Sequence, residues 1–268
     1  MAHWLIQRGF DSDRQYLKLI EAIERMEISH SFCTVIPFSD SDEGIKLESP
    51  IPEGKNIFCY GSYSLSKHAV RRGYFPGAFI GTGSNYGNLI KRYGRHMLNH
   101  DAVIMRFSDP QVIIPTSWDK VFIKPNEDTK AFTAEVMSRD HFIAFKDGVM
   151  SIPDGEYSTL TRDTNIVVAP PKEIDAEYRF FVVDGKVVTY SMYKSGGTVY
   201  YTGRVDEYIV KYAQNMVDIY QPDRAFVIDI AVMGNGSLRI IEVNSINSSG
   251  LYYIDVQKLI FAIEEMVY

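Results

Sequence analysis

Residues 226–244, FVIDIAVMGNGSLRIIEVN, limit the possible fold more than any other part of the chain. Residues 226–233 and 238–243 are apolar and rich in β-branched side chains. Gly234, Asn235 and Gly236 between them supply the positive-φ positions of a tight turn, so the segment reads as an antiparallel hairpin. Three oxygen-bearing side chains interrupt it: Asp229 on the first strand, then Glu242 and Asn244 on the second. Residues two apart on a strand share a face, so Glu242 and Asn244 project together, and a short hairpin brings Asp229 alongside. A lone acid on a strand is ordinarily a solvated edge residue. These acids are embedded in VIDIA and IIEVN, where an unpaired buried charge is costly, and a metal ion removes that cost. Two carboxylates and an amide oxygen form a hard donor set suited to Mg²⁺, which keeps open positions for phosphate oxygens.

Cations elsewhere match this acidic set. Lys124 ends the apolar run VFIK and Lys130 follows the polar loop PNEDT. Arg179 interrupts EYRFFVVDG, with Glu177 two residues earlier on the same face, and Lys194 lies in SMYKSGG before two glycines. Lysines act on phosphate as point charges and arginine as a planar fork, so the set suits the phosphates of a nucleotide, with Glu177 placed for a ribose hydroxyl. The polar run 245–250 (SINSSG) follows the acidic hairpin, and Asn247, Ser248 and Ser249 in it are candidates for contact with a substrate.

Other patterns carry less. Residues 81–87, GTGSNYG, miss the dinucleotide fingerprint because the third glycine would fall on Tyr86, and they read as an ordinary loop. His96 and His100 stand one helical turn apart but lack the glutamate of HExxH, and read as structural or surface residues. Lys146-Asp147-Gly148 reads as a hairpin turn after a strand at 142–145. No GxSxG elbow is present.

At 268 residues the chain has room for one or two domains. A net charge of −6 leaves no footprint for non-specific nucleic-acid binding. Cys33 and Cys59, both in apolar surroundings, suggest buried thiols in a reducing compartment. The start MAHWLIQRGF lacks the pattern of a signal peptide, and no apolar run approaches the ~20 residues of a membrane span. The expectation is a cytoplasmic protein, bacterial or in the host cytoplasm if phage-encoded, with no membrane partner.

Strand and helix patterns alternate over the first hundred residues, with a strand at 4–7, a helix capped by Ser12 or Asp13 and carrying Leu17, Ile20, Ile23 and Met26, and strands at 32–38 and 56–60. The second half is strand-rich (121–124, 166–168, 178–183 and 186–193), with helices at 206–219 and 255–266.

The order of these motifs, FIKP…K, VVAPP, EYRFFVVDGKVV and then D(x12)ExN, resembles the ATP-grasp superfamily. IKPNEDTKAF, EYRFFVVDG and EVNSINSSGLY are similar to the bacterial and bacteriophage clade marked by one arginine and two lysines. The resemblance covers essentially the whole chain. It implies an α/β (α+β) fold: a small α/β N-terminal domain (1–100), an N-lobe (101–170) and a C-lobe with the metal-binding hairpin (171–268), the nucleotide held between the lobes. It further implies ATP and Mg²⁺ as ligands. Lys124, Lys130 and Lys194 would lie on phosphates, Val167, Val168 and Ala169 would offer backbone groups to adenine, and Glu177 would hold ribose. Arg179 would meet the γ-phosphate or acyl-phosphate, making Arg179 and Lys194 the catalytic pair, and Asp229, Glu242 and Asn244 would hold Mg²⁺. Pro170 and Pro171 stand where many relatives carry an acidic–aliphatic pair. The implied activity is an ATP-dependent carboxylate–amine ligase working through an acyl-phosphate on small-molecule or peptide substrates. A kinase-like phosphotransferase and a non-catalytic nucleotide-binding module are the alternatives.

Overall fold

The computed structural model describes residues 1–10, 12–36, 42–109, 114–127, 131–152 and 160–268. The described residues form three sheets. The first is built from β1 (His3–Gln7), β2 (His30–Val35), β3 (Ile45–Leu47), β4 (Ile57–Tyr60) and β5 (Pro76–Gly77), in the order β3-β2-β1-β4-β5. β1 pairs in parallel with β2 and β4 and is buried along almost its whole length, as a strand covered on both faces must be. Trp4 and Ile6 pack toward α1 (Arg14–Arg25), while Leu5 packs with Leu65 and Ala69 of α2 (Tyr63–Arg71).

Asp13 caps α1 by accepting from the backbone N–H groups of Gln15 and Tyr16, satisfying donors that the helix itself leaves free. The buried face of α1 runs through Tyr16, Leu19, Ile20 and Ile23, and Leu17, expected inside, is 39 % exposed. Tyr16 wins that position because its hydroxyl donates to Gln7 O at 2.8 Å as its ring fills the core.

The second sheet has the order β6-β9-β7-β8, from β6 (Val103–Arg106), β7 (Lys120–Pro125), β8 (Glu135–Ser138) and β9 (Asn165–Ala169), all antiparallel. Beside it lies α4 (Arg139–Met150), whereas α3 (Tyr86–Tyr93) packs Tyr86, Leu89 and Tyr93 into the core of the third sheet. α4 corrects the expected strand and turn at 142–148. Ser138 caps it by accepting from His141 N, Asp140 complements the positive end, and Phe142, Lys146 and Val149 face inward at helical spacing. The run FIAF is too short for its period to separate strand from helix. The glycine loop at 81–87 contains a 3-10 turn (Thr82–Ser84) and then opens α3, capped by Asn85, whose side chain accepts from Asn88 N.

The third sheet has the order β12-β11-β10-β13-β14, from β10 (Ile174–Val183), β11 (Lys186–Ser195), β12 (Thr198–Thr202), β13 (Ala225–Met233) and β14 (Leu238–Ser245). Alternation splits β10 and β13 cleanly. Phe180, Val182 and Ile228 pack under α5 (Glu207–Ile219), whereas Phe181, Val183 and Val227 pack under α6 (Val256–Val267). α6 also packs on the first sheet, where Trp4 Nε1 donates to Glu264 Oε1 at 2.7 Å. The positive φ that the 234–236 turn needs is taken up by Gly236. Cys33 and Cys59 are free and buried, and burial pushes the Cys33 thiol up to about 12. No helix among the described residues is long and apolar enough to cross a membrane.

His3 couples this core to pH. It is 2 % exposed, and burial first, then the charges of His30 and Lys55, hold its pKa below the ordinary histidine value. The unfolded chain therefore takes up this proton before the folded one does. The contribution to stability is complete above the unfolded value of about 6.5 and declines as pH falls through it. Urea midpoints measured on either side of that value should drop on the acid side. The drop should be smaller in His3→Gln, whose amide does not titrate.

Candidate functional site

Three adjacent strands of the third sheet place three charged residues in one row: Arg179 on β10 pairs with Asp229 on β13, which pairs with Glu242 on β14. Cross-strand partners share a face, so the row is a consequence of register. It lies on the face that carries Phe181 and Val227, and Arg179 and Asp229 are almost fully buried. They form a bidentate pair, Nε to Oδ1 at 2.8 Å and Nη2 to Oδ2 at 2.7 Å. Burial opposes the guanidinium's charge, but Asp229 more than offsets this and holds Arg179 above its ordinary value. Arg179 Nη1 also donates to Gly250 O at 3.3 Å.

Glu242 continues the row toward the second sheet. Its Oε2 accepts from Lys124 Nζ of β7 at 2.6 Å and its Oε1 from Asn244 Nδ2 at 3.0 Å. Burial would raise this carboxyl, yet Lys124 and Asn244 together hold it down at about 2. Glu177, two residues before Arg179, accepts from Lys194 Nζ at 2.8 Å and from the Tyr193 hydroxyl at 2.7 Å.

The second and third sheets thus face each other across a cleft. A cavity of about 420 Å³ runs between Phe122, Lys124 and Val136 on one side and Glu177, Lys194 and Glu242 on the other. A smaller cavity of about 130 Å³ continues past Lys124 and Glu242 to Tyr86, Asn126 and Asn244.

Residues 101–261, more than half of the chain, match the model of the ATP-grasp domain, family 2 of the clade named for one arginine and two lysines. The chain belongs to the ATP-grasp family. Solved structures with a similar fold include the D-cycloserine synthetase DcsG (11 % identity, TM-score 0.65, all of both chains covered). The D-alanine–D-alanine ligase of Bacillus anthracis in complex with ATP is similar at 13 % identity and TM-score 0.62, with 100 % of this chain and 97 % of that one covered. The ATP-grasp ligase PsnB with a minimal precursor is similar at 9 % identity and TM-score 0.59, with 100 % and 99 % covered. At these identities the likeness is one of fold. No curated protein sequence matches the chain.

Of the residues singled out in the sequence, Lys124, Glu177, Lys194 and Glu242 line the cleft, Asn244 lines its smaller extension, and Arg179 and Asp229 are buried beside Glu242 in the same row. Lys130 lies outside the described residues, together with Asp128 and Thr129 of its loop.

The residues expected at adenine, Val167, Val168 and Ala169, lie inside a sheet. Val167 and Val168 sit in the interior strand β9, paired with β6 on one side and β7 on the other, and both are fully buried. Their backbone groups are spent on the ladder. Ala169 pairs with Phe122 and is also fully buried. Pro171, which ends the VVAPP run, lines the cleft together with Lys172 and Ile174.

Asn247 is likewise no substrate contact. It is fully buried, its Oδ1 accepts from Phe79 N at 2.7 Å, and its Nδ2 donates to Cys59 O at 2.6 Å and Gly77 O at 3.3 Å. It clips the loop after β14 onto the first sheet. Ser249 Oγ is spent on Ser245 O at 2.7 Å, and Ser248 is partly exposed. Asn247→Ala strands three buried backbone groups, and the unfolding free energy should fall by about 2–4 kcal/mol in urea titrations. An unchanged midpoint would return Asn247 to a substrate-facing role.

Two residues in contact with the charged row, Tyr193 and Tyr252, escaped the sequence reading. Simple alternation puts Tyr193 and Lys194 on opposite faces, but a bulge between Glu177 and Tyr178 on β10 and their partners on β11 leaves Tyr193 as the extra residue. Both side chains consequently reach Glu177, and the Tyr193 hydroxyl also lies 3.5 Å from Asp229 Oδ2. Tyr252 stacks on Tyr193 with ring centroids 4.7 Å apart and lies 4.6 Å from the Arg179 guanidinium carbon. No local pattern marks Tyr252.

Asp229, Glu242 and Asn244 share one face of the hairpin. A hard cation held by them would share their oxygens with the cations already present, because Asp229 accepts from Arg179 through both oxygens and Glu242 accepts from Lys124 and from Asn244 Nδ2. Among the described residues no group of three or more His, Cys, Asp or Glu is gathered as a competing metal site.

Proposed function

We propose that this ATP-grasp protein is an ATP-dependent carboxylate–amine ligase working through an acyl-phosphate, with the nucleotide held between an N-lobe (101–170) and a C-lobe (171–268) behind a separate N-terminal domain (1–100). The observation that carries the reading is the cleft itself. Lys124 and Lys194, from two sheets, converge with Glu177 and Glu242 on one elongated cavity, and the buried Arg179–Asp229 pair continues the row of Glu242 behind it.

Lys124 and Lys194 take phosphate oxygens, Glu177 takes a ribose hydroxyl, and the stretch with Pro171, Lys172 and Ile174 holds adenine. Asp229, Glu242 and Asn244 would hold Mg²⁺, which would supply charge neutralisation at the phosphates. Phosphoryl transfer asks the protein for positioning and electrostatics more than for a nucleophile of its own. A substrate carboxylate oxygen forms a bond to the γ-phosphorus as the bond to the β–γ bridging oxygen breaks, and ADP leaves. Arg179, fixed by Asp229, faces the resulting acyl-phosphate and offsets its charge. An amine then forms the C–N bond as the acyl C–O bond breaks, and phosphate departs with the proton. Ser248 is the remaining candidate in the 247–249 segment for contact with the acceptor. The reading requires neither a membrane nor a nucleic acid as partner.

Product analysis with mixed carboxylates and amines tests this proposal. ADP, free phosphate and an acceptor-dependent amide support ligation. ADP with a phosphorylated acceptor identifies a kinase, and nucleotide binding without turnover identifies a binding module; either outcome replaces the proposal.

A further inference from the structure

The cleft of about 420 Å³ between the second and third sheets has apolar walls, Phe122 and Val136 on one side and Ile174 and Ile241 on the other. Phe122 pairs with both Ala169 and Val136, so these walls stand level with the VVAPP run. A flat base fits between them, but the backbone there has little to offer a ring nitrogen. Pro170 and Pro171 carry no N–H, and the backbone groups of Val167 and Val168 are spent in β9. The run therefore supplies no free N–H before Lys172, which favours a donor from a side chain.

The charged side chains of the lining already have partners. Lys124 donates to Glu242, Lys194 and Tyr193 donate to Glu177, and Lys172 Nζ donates to Asp101 Oδ2 at 2.6 Å. Among the described residues of the lining, Asn99 is the one neutral amide. Backbone contacts fix its place. Leu98 N donates to Ile240 O at 2.8 Å, Asn99 N to the Tyr86 hydroxyl at 3.2 Å, and Ala102 N to Asn99 O at 3.1 Å. Asp101, two residues on, holds Lys172, so this segment sits against the stretch that follows the two prolines. The Asn99 side chain also bonds the Tyr86 hydroxyl. An amide has two N–H groups and a carbonyl, so one N–H and Oδ1 are left over. Asn99 is 4 % exposed, and neither of its amide atoms is both sealed and unpartnered, so the leftover edge opens on the cleft it lines.

We propose that Asn99 selects the base, its leftover N–H donating to a ring nitrogen of adenine and its Oδ1 accepting from the adjacent 6-amino group. The assignment rests on the ligase reading for the placement of the nucleotide in this cleft. Adenine offers an acceptor and a donor side by side on one edge, and a side-chain amide presents the complement of both. A purine without the amino group leaves Oδ1 facing no donor, and an unmet acceptor in a desolvated slot is costly.

The test uses the full chain with Mg²⁺ and two nucleotides: ADP, and purine riboside 5′-diphosphate, which lacks only the 6-amino group. Binding is followed by calorimetric titration. ADP should bind about tenfold more tightly in the wild type, the worth of one two-point contact to a base. Asn99→Leu, close in volume, should bring the two affinities within about twofold while purine riboside diphosphate binds as before. General damage to the cleft would weaken both nucleotides together. Should the leucine upset the fold, Asn99→Ser is the second variant and should give the same equality. Equal affinities in the wild type, or a preference that persists in a folded variant, overturn the assignment alone. Failure of the wild type to bind either nucleotide sinks the ligase reading and this assignment with it.

Discussion

Arg179→Met should lower the unfolding free energy by about 3–5 kcal/mol, the cost of leaving a buried charge without its partner. The side chains of Arg179 and Asp229 are 8 % and 1 % exposed, so water cannot replace the guanidinium. The bidentate geometry means that two charge-assisted hydrogen bonds vanish together. Burial already pushes the Asp229 carboxyl upward, and removing Arg179 takes away the main influence that pulls it back. The variant should therefore neutralise Asp229 by taking up a proton. Its loss of stability should be partly relieved in acid, where protonation is easier, and larger above neutral pH. The double variant Arg179→Met/Asp229→Leu should recover most of the loss, since an apolar pair of similar volume replaces a buried ion pair at little cost. Urea unfolding of the three proteins at two pH values checks this. A single variant as stable as the wild type would show that the pair is not buried in solution.

Lys124→Ala and Glu242→Gln should each reduce ADP formation by a factor of roughly 10²–10³, the usual cost of removing one preorganised charge from a phosphoryl-transfer site. Lys124 and Glu242 lie 2.6 Å apart and link the second sheet to the third, so each substitution also releases its partner. Their side chains are 17 % and 32 % exposed, and a partly solvated pair contributes only about 1 kcal/mol to stability. Activity should collapse while the urea midpoint barely moves, in contrast to the loss of stability in Arg179→Met. Because Glu242 is held at about 2, the wild-type carboxylate stays ionised across the ordinary assay range and its titration should leave no acid limb there. Unchanged turnover in both variants would remove these residues from the site.

Local signals were enough for the parts of this fold that depend on local physics. The start of α1, with a cap at Ser12 or Asp13 that the structure assigns to Asp13, and the hairpin from β13 to β14 follow from side-chain chemistry and strand alternation. The strands β6, β8 and β12 were not visible, because short runs such as TVYYT carry no period of their own. Phe142 and its neighbours were misread for the same reason.

The sequence by itself determined the donor and cation types and the faces they share. Glu242 and Asn244 project together because they are two apart on a strand, and Asp229 joins them because the turn between is short. Only the tertiary structure decided which of those faces meet, and what each polar group spends its hydrogen bonds on. It put Val167 and Val168 inside a sheet, turned Asn247 into a clip between loop and sheet, and let a bulge send Tyr193 to Glu177 beside Lys194. The physical reason is that backbone periodicity sets the direction of a side chain relative to its own element. The partner across the gap is chosen by long-range packing and by the need to satisfy every buried donor and acceptor.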